Sequence, residues 1–382
     1  MKKTLLPFVF VLLIALSCQS SVEEQSYNAS SEFTTYSIDI EAESIEFMDQ
    51  IESVELVGFE ESSESLLTAN IRFLNYEEGY IVVDEGAGTV FIFNEDGTFK
   101  SKFNHKGQGP EEYSFMQHTE YRDGFIEIYV YSRRKMMRYN LEGDFIGAVD
   151  VPYEATDVIY FENGYLLGMG DQIGLDSLDH NLVLTDKEMK PYAYALPFSK
   201  PEGVVVKPPT NDFRIDGDRV LCIRFWTDSV YQIHNDEVKP YIHFDFGDQW
   251  LWKEFPMSNS LDGKTINAMT DAGKVWAYEW ILGTDRIEMT YMTSLALPPG
   301  IGYIDRKTKD FHNYSFDWFK QEGIPFRSIA IIDGKLMAVF SADTLSEMIE
   351  VIDQEKVEVK GFLSKEQILQ SENPILVWIK FK

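Results

Sequence analysis

The chain has 382 residues, with 34 basic and 63 acidic side chains and a formal net charge of −29. A field of that sign repels phosphate backbones and anionic headgroups, which sets nucleic-acid binding aside and leaves soluble ligands, proteins and cations as partners. Aromatic residues make up 14% of the chain, a composition that suits half-buried strands rather than long helices.

At the N-terminus, Lys2 and Lys3 precede an apolar run from Leu5 to Leu16. That run is shorter than the roughly 20 residues a membrane-spanning helix needs, so residues 1–17 read as a cleaved secretion leader. The stretch Ala15-Leu16-Ser17-Cys18 resembles the bacterial lipobox. The resemblance implies cleavage before Cys18, lipid attachment to that residue, and a membrane anchor for the mature chain. The expected address is the cell envelope, as an outer-membrane lipoprotein on its periplasmic or outer side. The acidic pair Glu23-Glu24 resembles export tags of surface lipoproteins, and a solvated tether explains it equally. Residues 18–50 are rich in Ser, Glu and Gln and read as a flexible tether. With Cys18 lipidated, Cys222 has no disulfide partner, and its place in the apolar run 220–226 predicts a buried thiol.

Beyond the tether the chain becomes rhythmic. An Asn or Asp follows an apolar-alternating run at Asn94, Asn140, Asp186, Asn235, Asp305 and Asp353, with steps of 46, 46, 49, 70 and 48 residues. The first two turns are near copies, Phe93-Asn94-Glu95-Asp96-Gly97 against Tyr139-Asn140-Leu141-Glu142-Gly143. A period of about 45 residues built from short strands predicts an all-β fold, a six-bladed β-propeller over residues 51–382. The blades are expected at about 71–103, 116–151, 156–198, 213–246, 276–316 and from 327 onward. The 70-residue step holds an insertion, about 247–275, and the proline-containing stretch 199–210 reads as an exposed loop. Pairing of the final run 374–381 with 51–57 would close the ring, leaving 343–370 as a partly helical insertion. Alternatively, Asp353 heads a true hairpin and the last strand is extra.

After the first hairpin comes Asn104-His105-Lys106-Gly107-Gln108-Gly109-Pro110-Glu111-Glu112-Tyr113. This segment resembles the Gly-x-Gly-Pro-Gly-Glu-Tyr motif of a family of six-bladed propeller lipoproteins of Gram-negative bacteria, related in shape to NHL-repeat and TolB-type propellers. The resemblance extends to the preceding hairpin and the closing Glu372-Asn373-Pro374-Ile375, so it spans nearly the whole mature chain. It departs at Glu111, which stands where the family has a third glycine. The family carries no agreed activity, so the resemblance implies fold and address. From the residues themselves, Gly107 and Gly109 would allow left-handed backbone, Pro110 would stiffen a crossover between blades, and Tyr113 would cap the blade interface. The rival reading is an anion-binding nest of consecutive amides.

No catalytic constellation stands out. The six histidines show none of the close spacings of a zinc site, although His234 and His243 could approach around one turn. No Gly-x-Ser-x-Gly elbow is present. Acids such as Asp84-Glu85 and the group Asp171, Asp176 and Asp179 suit a calcium ion chemically. Six-bladed enzymes of this shape hold one at the axis, but no regular ligand spacing accompanies these acids, so no metal or cofactor is assigned. The tryptophans are more suggestive. Five of seven lie between Trp226 and Trp280. Exposed Trp250, Trp252 and Phe255 beside Asp248 and Glu254 could stack on sugar rings while the carboxylates take hydroxyls, or could anchor a protein; otherwise the insertion folds down and buries them. The expected function is a monomeric binding or interaction module for a glycan or an envelope protein. The alternatives are a hydrolase or lyase with an axial divalent ion, and an accessory subunit of an outer-membrane uptake or assembly complex.

Overall fold

The computed structural model describes residues 32–68, 70–74, 76–170, 178–198, 213–223, 227–254, 263–321 and 323–382. In the run Tyr80-Ile81-Val82-Val83-Asp84, Ile81 and Val83 pack against the following sheet while Val82 packs against the preceding one. A strand buried on both faces needs apolar residues at consecutive positions, which explains why alternation breaks down here. Four antiparallel strands make blade one: Ile71–Leu74, Gly79–Asp84, Thr89–Asn94 and Phe99–Phe103. Blades two, three, four and five repeat the meander, their first strands being His118–Arg122, Asp157–Phe161, Phe213–Asp216 and Ala277–Leu282. Each of the six seams between neighbouring sheets holds its own cluster of buried apolar side chains. The architecture is therefore a six-bladed propeller, and its stability resides in the seams.

The repeated turn joins the third and fourth strands of a blade. At Asn94 and Asn140 the chain closes through Gly97 and Gly143, both left-handed at φ +86° and +89°. Met189 and Lys309 take the corresponding position in blades three and five, at φ +63° and +69°. Asp353 makes no such hairpin; its side chain caps the short 3-10 turn Gln354–Lys356. Blade six lacks the hairpin because its strands come from opposite ends of the chain. Ile375–Phe381 lies between Lys335–Phe340 and Ile51–Val57, antiparallel to both. Residues 342–368 are inserted before that closing strand and include the helix Ala342–Val351.

The expected tether overreaches. From Thr34 onward the chain is laid along the outside of the ring. Thr34–Ser37 adds in parallel to Glu237–Asp245 of blade four, and Ser44–Glu46 to Phe311–Ser315 of blade five. The intervening carbonyls of Ile40 and Ala42 both accept from the Asn313 amide at 3.1 Å. Phe47 is fully buried, with its ring 5.0 Å from those of Tyr314 and Phe326. Low apolar content in 34–50 is misleading because these residues dock through backbone pairing and one deeply set aromatic. Cys18 and the rest of 1–31 lie outside the described residues.

Candidate functional site

The loop tryptophans do not form a platform. Residues 247–254 fold as two short 3-10 turns, Gly247–Gln249 and Leu251–Lys253, against the seam between blades four and five. Trp250 and Trp252 are 7% and 9% exposed. Trp250 stacks on Phe246 with ring centroids 5.2 Å apart, and the Trp252 indole N–H donates to the Trp276 carbonyl at 2.7 Å. Asp248 and Glu254 are at the surface, engaged by Lys253 at 2.7 Å and Lys274 at 2.6 Å. Phe255 lies outside the described residues. The predicted glycan site is thus corrected: burying indole area outweighs leaving it in water, and one lysine answers each carboxylate. Trp252→Ala is expected to cost about 3–5 kcal/mol in denaturant unfolding, as a core aromatic should.

The glycine motif is likewise structural. Neither Gly107 nor Gly109 adopts left-handed backbone. They are small because Glu112 folds over them; a Cβ on Gly107 would stand 2.0 Å from Glu112 Oε2. The Gly109 N–H donates to that same oxygen at 2.7 Å and the Gly107 N–H to the Tyr113 carbonyl at 3.0 Å, so both amides are taken within the chain. Pro110 is in the turn between Gly109 and Glu112. Tyr113 is fully buried at the seam of blades one and two, donating to the Gly88 carbonyl at 2.8 Å and accepting from the His105 N–H at 3.0 Å. Burial pushes its phenol up to about 12.

The histidines are dispersed. His234 Nδ1 contacts the Asp218 carbonyl at 2.7 Å, and His243 Nε2 lies 3.3 Å from Asp228. Asp84 holds its own turn by accepting from the Ala87 N–H at 2.8 Å. Asp171 and Asp176 lie outside the described residues. Among the described residues no group of three or more His, Cys, Asp or Glu could hold a metal ion.

A cavity does open on the propeller axis, at the end where the first strands of the blades begin. Its volume is about 700 Å³. Four of the six first strands or their leads reach its wall with a charged side chain: Arg72, Arg214, Glu279 and Arg327. Arg72 is ion-paired with Glu85, which directly follows the second strand of blade one. Arg327 donates to the Ile71 carbonyl. Arg214 lies with its guanidinium 5.6 Å from the Trp280 ring centroid. Removal from water pulls both Arg214 and Arg327 below the usual arginine range, opposed in each case by Glu279. The other two first strands contribute a buried pair beside this arc. His118 Nδ1 is 2.8 Å from Asp157 Oδ1, and Asp157 also accepts from the Phe213 N–H at 3.4 Å. Deeper in blade five, burial raises the Glu288 carboxyl despite Arg286 Nε at 2.7 Å. Sequence reading missed this ring. A signal existed, since Ile71-Arg72, Phe213-Arg214 and Phe326-Arg327 each set an arginine after an apolar residue at the opening of a blade.

These features define a class, a six-bladed β-propeller with a polar axial cavity. Within it, the chain belongs to the family described as Domain of unknown function (DUF4934), whose model matches residues 35–380. No curated protein matches the sequence. Among solved structures, a Bacteroides fragilis NCTC 9343 protein described as exported superposes with a TM-score of 0.72 at 17% identity, covering 92% of this chain and 100% of its own. A member of the DUF4221 family from Bacteroides vulgatus ATCC 8482 gives 0.49 at 13% identity, covering 87% and 97%. BamB from Moraxella catarrhalis gives 0.40 at 8%, covering 84% and 97%. At these identities the likeness concerns the fold alone.

Proposed function

We propose that the protein is a ligand-binding module of the bacterial cell envelope, delivered by its leader, anchored through Cys18, and taking a small molecule into the axial cavity. The observation that carries this reading is the axial wall itself. The seams between blades consume the apolar surface, yet Arg72, Arg214, Glu279 and Arg327 converge on a space within the usual ligand-pocket range of roughly 300–1,000 Å³. The description of the Bacteroides fragilis protein as exported supports the envelope address. Melting of residues 19–382 against neutral sugars, acidic sugars and short peptides tests the reading. A binder at about 100 times its Kd adds about 2.7 kcal/mol to stability. Ser328→Trp, which fills the cavity from its wall, is expected to abolish the shift; a shift that survives it removes the axis as the site.

A second reading, a protein partner on the same face, is supported by exposed apolar residues near the cavity mouth. Leu295 and Leu297 are 51% and 65% exposed, and Ile266 is 43% exposed on the helix Gly263–Asp271 to which that loop is bonded. Cross-linking from this face in intact cells, lost in Leu297→Asp, would favour it.

A further inference from the structure

We infer that the axial site selects an anion: a polyhydroxylated small molecule carrying one carboxylate, gripped by the guanidinium groups of Arg214 and Arg327. The inference rests on the axial reading of the preceding subsection and adds the chemistry of the ligand.

Charge is the first ground. Acidic residues outnumber basic ones 63 to 34 in this chain. Against that excess, three of the six blades open with an arginine directed to one cavity. Three acids near the axis already have partners, Glu85 with Arg72, Glu288 with Arg286, and Asp157 beside the His118 ring. Among the described residues Glu279 is the one cavity-lining acid without an ion-pair partner, and it is open to solvent; Arg214 also feels Asp157, and Arg327 also feels Glu85.

Geometry is the second ground. Among the described residues the Arg214 side chain forms no hydrogen bond or ion pair, its contact being with the Trp280 ring, and the Arg327 side chain donates only to a backbone carbonyl. Arg214 lies beside the Trp280 ring, a placement that orients a planar guanidinium and leaves its N–H edge free for an incoming oxyanion. A half-buried guanidinium with acids nearby but no carboxylate bonded to its N–H edge is under-satisfied, and a bidentate oxyanion is the group whose shape answers it. Glu279 sets the remaining terms. Its carboxylate accepts from hydroxyls and repels a second negative charge, so a hydroxylated monoanion fits better than a polyanion. Phe326, Ile301 and Ile329 supply the apolar part of the wall for a ring.

Calorimetric titration with galacturonate, galactose 6-phosphate and galactose provides the test, on residues 19–382 and on Arg214→Gln, Arg214→Lys and Ser328→Trp. The expected result is binding of galacturonate that exceeds galactose by about tenfold or more, as loss of a charge-assisted bond implies. Arg214→Gln should lose a similar factor, Arg214→Lys should recover part of it, and raised salt should weaken binding. Preference for the phosphate over the carboxylate would retain the arginine grip and overturn the monoanion assignment. Galactose binding as well as galacturonate, with Ser328→Trp abolishing both, would overturn the anion inference and leave the axial site standing. No binding of any of the three would overturn the anion inference, while the wider melting screen decides the axial reading separately.

Discussion

A chain ending at Asn373 is expected to lose cooperative folding. The missing strand, Ile375–Phe381, is central in blade six, paired on both sides. Ile375, Leu376, Val377 and Ile379 are all fully buried. Ile375, Val377 and Ile379 fill the seam of blades five and six, while Leu376 enters the seam of blades six and one. At about 1.5–3 kcal/mol for each buried aliphatic side chain, the strand contributes an amount comparable to the whole stability of a typical domain, about 5–15 kcal/mol. Its loss also unzips Ile51–Val57, which has Val357–Lys360 as its other neighbour, through four parallel pairs only. Circular dichroism and guanidinium titration check this. The milder Ile379→Ala should cost about 2–5 kcal/mol and still fold. A truncated chain that melts sharply near the wild-type temperature would show that ring closure is dispensable.

Glu127→Ala is the second large effect. Glu127 is 1% exposed and accepts from Arg122 at 2.9 Å, Arg138 at 2.5 Å and the Tyr165 hydroxyl at 3.0 Å. Removing it leaves two partly buried guanidinium groups without their common carboxylate, a change that costs about 3–5 kcal/mol in comparable buried pairs. The same cluster gives a pH dependence. Burial, and then the Glu127 charge, pushes the neighbouring Glu120 carboxyl well above its ordinary 4.5. For Glu127, burial pushes upward, but Arg122 and Arg138 overcome it and hold the carboxyl below its ordinary value. Glu120 binds its proton more tightly in the folded state. Its contribution is therefore complete below pH 4.5 and lost as pH rises through the raised value, and Glu288 acts in the same sense. Glu127 acts oppositely, losing its contribution as pH falls through its lowered value. Unfolding free energy measured at pH 5 and pH 8 should be smaller at pH 8, and Glu120→Gln should narrow the gap. An unchanged gap in that variant would remove Glu120 as a source.

The sequence carried the blades well because their signal is local. Asn94-Glu95-Asp96-Gly97 and Asn140-Leu141-Glu142-Gly143 need a left-handed residue at one fixed place, and the composition says so. Ring closure was legible for a related reason, since Ile375 to Phe381 is too apolar for anything but a buried strand. What failed depended on neighbours distant in the chain. Nothing near Trp250 tells that Tyr278 will close over it, and nothing in Thr34–Ser37 tells that the backbone of Ile242 to Asp245 is waiting for it. The axial arginines were hidden by sequence separation. Arg72, Arg214 and Arg327 become one site only when six first strands are gathered around an axis.

The most direct measurement is a crystal structure of residues 19–382 grown with galacturonate. The account predicts ligand density in the axial cavity, its carboxylate on Arg214 and Arg327 and its hydroxyls toward Glu279. Density seated over Trp250 and Trp252, with the axis left to solvent, would contradict it.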